Sequence, residues 1–73
     1  MLHDEIIKEV QRILRIHFYD EILEVQNDNV NKWLVSFNEE FGGRSPMYLL
    51  GKNSITATKV LNYVKNNLGA EQQ

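Results

Sequence analysis

Seventy-three residues make one domain with no room for a second core, and a chain of this size buries only about 60% of the surface its unfolded form exposes. Its 42% hydrophobic and 25% charged residues are globular proportions, and the absence of cysteine excludes disulfides, thiolate metal sites and thiol nucleophiles. The net charge of −2 splits into −5 over 1–41 (nine acids, four bases) and +3 over 42–73 (four bases, one acid). That positive half is too weak for a nucleic-acid footprint.

No apolar run approaches the roughly 20 residues a membrane span needs. The start, Met1-Leu2-His3-Asp4-Glu5, is acidic where a secretory signal is basic and then apolar. Together with the lack of cysteine, this leads us to expect a cytoplasmic protein.

The first segment, 1–19, is expected to be an amphipathic helix. Ile6, Ile7, Val10, Ile13, Leu14 and then His17 and Phe18 recur at spacings of three and four, with Lys8, Glu9, Arg12 and Arg15 toward water. Asp4 and Glu5 suit the positive end of the helix dipole. A short chain without disulfides must cover that broad apolar stripe, and pairing into a homodimer would do so.

Residues 20–41 admit two readings. Ile22 to Val25 and Trp33 to Phe37 could be strands flanking a turn. Strict alternation, however, puts Asn31 on the face of Trp33, Val35 and Phe37. The helical template fits better: Val30, Trp33, Leu34 and Phe37 stand at i, i+3, i+4 and i+7, and Asp28 can cap. We therefore expect a helix over 28–37, with Trp33 mostly buried.

Further on, Gly42-Gly43 breaks the chain, Ser45 can cap, and Pro46 suits a first helical position. Met47-Tyr48-Leu49-Leu50 makes a short helix, which Gly51 is expected to end in the left-handed conformation. Asn53 or Ser54 caps a last helix carrying Ala57, Val60, Leu61, Val64 and Leu68, with Gly69 as its stop. Ala70-Glu71-Gln72-Gln73 is expected to fray. The expected fold is all-α, a small compact bundle of about four helices.

Little in the sequence converges for catalysis. His3 and His17 lie about 21 Å apart on a continuous helix, so they share no metal. The adjacent pairs Asp4/Glu5, Asp20/Glu21 and Glu39/Glu40 diverge by about 100° on a helix and read as solvated ends. Ser45 lacks the nucleophile-elbow pattern and no histidine follows it. Gly42-Gly43 has neither a lysine at phosphate-loop spacing nor a preceding buried strand. No enzyme activity, metal or cofactor is expected. Arg44 keeps two readings: it satisfies helix-terminal carbonyls, or it presents a fork to a partner's carboxylate.

One string carries more information. Trp33-Leu34, then Asn38-Glu39-Glu40-Phe41-Gly42-Gly43-Arg44-Ser45-Pro46-Met47, then Leu49-Leu50 resembles the C-terminal toxin-binding domain of the Xre/MbcA/ParS antitoxins. The resemblance spans about 28–69. Phe41 and Met47 replace leucines of the family pattern, and Asn67-Leu68-Gly69 replaces its histidine-glycine ending. In longer relatives a DNA-binding helical domain stands where this chain has its first helix.

The resemblance implies a protein-binding antitoxin whose partner is a RES-type toxin, an NAD-consuming enzyme neutralised by covering its active site. It also implies a partner surface centred on Gly42, Gly43, Arg44, Ser45 and Pro46, with the exposed side of the last helix. The alternative is a small DNA-binding or transcription-regulator module. Lys59 and Lys65 alone make the last helix a poor recognition helix, so nucleic acid is not the expected partner.

Overall fold

The computed structural model describes residues 1–69, so the expectation for 70–73 lies outside the described residues. Four α-helices follow in order: α1 (His3–His17), α2 (Leu23–Val35), α3 (Pro46–Lys52) and α4 (Ser54–Asn67). A single 3-10 turn, Glu39–Phe41, stands between α2 and α3. The fold is all-α, as the periodicities require.

The stripe of α1 buries Ile6, Val10, Ile13 and Leu14. It packs chiefly on α4, whose Ala57, Val60, Leu61 and Val64 are buried in return, while α3 also packs on α4 and α2 closes the bundle against α3 and α1. Four residues of the face that suggested a homodimer are thus covered within one chain, while Ile7, His17 and Phe18 stay partly exposed. His3 joins two elements: its Nε2 hydrogen-bonds the Leu50 carbonyl near the end of α3. Carbonyls in a last helical turn lack intrahelical partners, so this bond meets an obligatory need.

Three expectations need correction. The second helix does not begin after an Asp28 cap; it starts at Leu23 and carries Asp28 in its middle. Its start is organised by Asp20 instead, whose carboxylate accepts from the Ile22 N–H at 2.8 Å. The buried Gln26 side chain adds to this by accepting from the Asp20 N–H at 3.2 Å. Such side-chain bonds supply partners to backbone donors that a helix start leaves open.

The same helix stops at Val35, so Phe37 falls outside it and is 82% exposed, while Val30 and Leu34 are buried as expected. Ser36 marks the change: its hydroxyl donates to the Lys32 carbonyl at 2.5 Å, and its backbone is extended. Trp33 is half-buried, packed on the core from its edge.

Gly51, finally, does not end α3 in a left-handed conformation. It is helical, and α3 runs on to Lys52. Asn53 is the true boundary, closing α3 and capping α4 in one residue. Its side chain accepts from the Thr56 N–H at 2.9 Å, and the Thr56 hydroxyl accepts from the Asn53 N–H at 3.3 Å. This reciprocal box satisfies two donors without a glycine turn. At the far end, α4 stops at Asn67, two residues before Gly69.

Candidate functional site

The turn over 38–45 is held by a closed set of backbone bonds. The Phe41 and Gly43 N–H groups donate to the Asn38 carbonyl at 3.0 Å, and Gly42 N–H donates to Glu39 at 3.0 Å. Arg44 N–H reaches the Phe41 carbonyl at 3.3 Å, and Asn38 N–H donates to the Arg44 carbonyl at 3.1 Å, pairing those two residues antiparallel. The Asn38 side chain caps the 3-10 turn by accepting from Glu40 N–H at 2.9 Å.

Two successive left-handed residues make this closure possible. Gly42 and Gly43 have φ of 67° and 78°, and a Cβ on either would meet nothing within 4 Å. Glycine is needed there for conformation, because a side chain strains the left-handed backbone even in open space.

The turn is anchored beneath by Phe41. Its buried ring meets Tyr63 of α4 edge-on at 5.3 Å, and Trp33 of α2 stacks on Tyr63 at 6.3 Å. Aromatic pairs in these geometries contribute about 0.5–1.5 kcal/mol beyond area burial. Tyr63 is the residue that the sequence reading missed; its place three residues after Val60 gave it only a border position on the stripe.

After the turn, Ser45 Oγ accepts from the Tyr48 N–H at 3.2 Å, capping α3, and Pro46 occupies the first helical position. The five residues read from sequence as a partner surface are therefore contiguous but unequal. Gly42, Gly43 and Arg44 are exposed, Ser45 is half-buried, and Pro46 is fully buried. Pro46, with its side chain buried, is not part of the exposed surface.

Arg44 turns its guanidinium over the Tyr48 ring, 4.7 Å from the centroid, and the Lys52 ammonium sits 5.8 Å from the same centroid. The four-residue spacing 44, 48, 52 does not by itself show these contacts, because Arg44 precedes the helix. The exposed side of α4 adjoins the turn as well: Glu40, Phe41, Lys59, Asn62, Tyr63 and Asn66 line one open groove.

Elsewhere the described residues contain no group of three or more histidines or carboxylates able to hold a metal. His17 lies edge-on to Phe18 at 4.7 Å, at the opposite end of α1 from His3. Among the described residues one ion pair forms, Glu9 with Arg12 on the outer face of α1. The hydrogen bond from Arg12 holds the Glu9 carboxyl below its ordinary range, and Glu9 raises Arg12 in turn. No described helix is long and apolar enough to cross a membrane. Comparison with protein families, with curated proteins and with solved structures found no match to this chain.

Proposed function

We propose that this chain is a cytoplasmic protein-binding antitoxin that neutralises a RES-type, NAD-consuming toxin by covering its active site. The supporting observation is the construction of the turn over 38–45. Its backbone bonds are closed internally, it is anchored by Phe41, and it displays Gly42, Gly43 and Arg44 to solvent. A loop fixed in this way has little conformational entropy left to lose on docking, and binding residues concentrate on such loops.

The string that resembles the Xre/MbcA/ParS antitoxins forms this turn and the helix after it. The groove shared with α4 gives a docked partner a second wall. Neutralisation by coverage needs no catalytic residue, metal or cofactor on this side.

Co-expression with the product of the adjacent gene tests the proposal. That product should arrest growth alone, and this chain should relieve the arrest and co-purify with it. A neighbour that is harmless alone, or that is neither bound nor relieved, would leave the proposal without support.

A further inference from the structure

We propose that the edge of α3 is a docking strip for an acidic segment of a protein partner that also carries apolar side chains. This deepens the protein-binding proposal above, sharing its assumption that the partner is a protein but not that the partner is a toxin.

Arg44, Tyr48 and Lys52 follow one another at intervals of four, and both cations are held over a single tyrosine ring that is itself 45% exposed. Neither cation forms an ion pair, the described residues having only that of Glu9 with Arg12. A ring quadrupole on an exposed surface attracts a cation weakly. Carboxylates give charge-assisted hydrogen bonds that are stronger, and the arginine fork takes both oxygens of one carboxylate. The ring thus holds two donors close together without satisfying them.

Apolar surface lies alongside. Met47 is 49% exposed, and Phe37 immediately precedes Asn38, whose backbone pairs with Arg44. An exposed phenylalanine beside a fixed turn has no internal role, whereas aromatic residues and arginine together are the residue types that dominate binding hot spots.

Charge decides between an acidic peptide and a nucleic acid. Over 1–41 the chain carries nine acids against four bases, which repels an extended polyanion. A strip with two cations and two exposed apolar side chains suits a short segment with a few carboxylates.

The test is a titration of the isotope-labelled full chain, followed by NMR. The probes are a short synthetic peptide of glutamate, leucine and tryptophan, its glutamine counterpart, and a short DNA duplex. The glutamate peptide should shift Phe37, Arg44, Met47, Tyr48 and Lys52 in a saturable way. The glutamine peptide, or the Arg44→Gln/Lys52→Gln double variant, should bind at least about tenfold more weakly, the loss expected from a single charged hydrogen bond. Unchanged signals from α1 and α4 will show that the double variant is folded.

Four results would overturn the proposal: no saturable shifts, shifts spread evenly over Lys8, Arg15, Lys59 and Lys65, equal binding of the glutamine peptide, or tighter binding of the duplex. No toxin enters this titration, so its failure is separate from failure of the co-expression experiment.

Discussion

The α1 and α4 pair and the stretch over 38–52 use different physics within one small chain. Between α1 and α4 the interactions are non-directional: Val10, Leu14, Val60 and Val64 are fully buried, and most same-sized apolar residues would fill similar space. Over 38–52 the structure is set by directed bonds and special conformations. Two left-handed glycines, an asparagine cap, a serine cap and a proline fix a surface that is largely exposed. This region also buries Phe41, Pro46, Leu49 and Leu50, yet its exposed turn is specified by bonds and backbone conformation rather than by packing. The first region holds the fold together, and the second holds a shape.

Leu14→Ala should give the largest loss, about 2–5 kcal/mol of the kind that core truncations produce. Urea unfolding measures it, and binding per folded molecule should stay unchanged. Trp33→Ala should cost less than the roughly 3–5 kcal/mol of a fully buried aromatic, because the ring is half-buried on Tyr63. It should also loosen the turn, seen as faster amide exchange at Phe41 and Gly43. A loss as large as that of Leu14→Ala would erase the division between the two regions.

Gly43→Ala should cost about 1–2 kcal/mol from its left-handed backbone alone, with partner binding lost out of proportion to stability. An unchanged melting temperature would mean the turn relaxes at no cost. The smallest effect belongs to Glu9. Its folded pKa is depressed by Arg12, so its contribution is present at neutral pH and is lost as pH falls below the ordinary glutamate range. Glu9→Gln should lower stability slightly at pH 7 and flatten the acid limb of a pH–stability curve. A larger effect at pH 3 than at pH 7 would contradict the sign.

Helix class was readable wherever a 3.6-residue stripe met a real core, as in α1 and α4. Capping chemistry was readable at Ser45 and Pro46 because those residue types have few other uses before a helix. The helix boundaries of α2 were not, since they depend on Asp20 and Gln26 bonding six residues apart and on where the core runs out beneath Phe37. Gly51 misled because glycine permits a left-handed stop without requiring one, and Asn53 supplied a better boundary.

In the candidate site, the glycines and Arg44 stood out locally. Tyr63 and the pairing of Arg44 with Tyr48 needed the chain to be folded before they could be seen. Pro46 lay within the candidate string, yet its burial is a property the string does not encode.

The most direct test of the division is Arg44→Ala, measured for melting temperature and for toxin neutralisation in the same preparation. Arg44 is exposed and lies on the tyrosine ring. Melting should therefore move little, within about the 0.5 kcal/mol usual for surface substitutions. Binding should weaken by more than about 1.5 kcal/mol, the low end for charged hydrogen bonds. A lowered melting temperature with unchanged binding per folded molecule would contradict the account, placing Arg44 among the residues that hold the fold and leaving no support for the recognition role proposed for the turn.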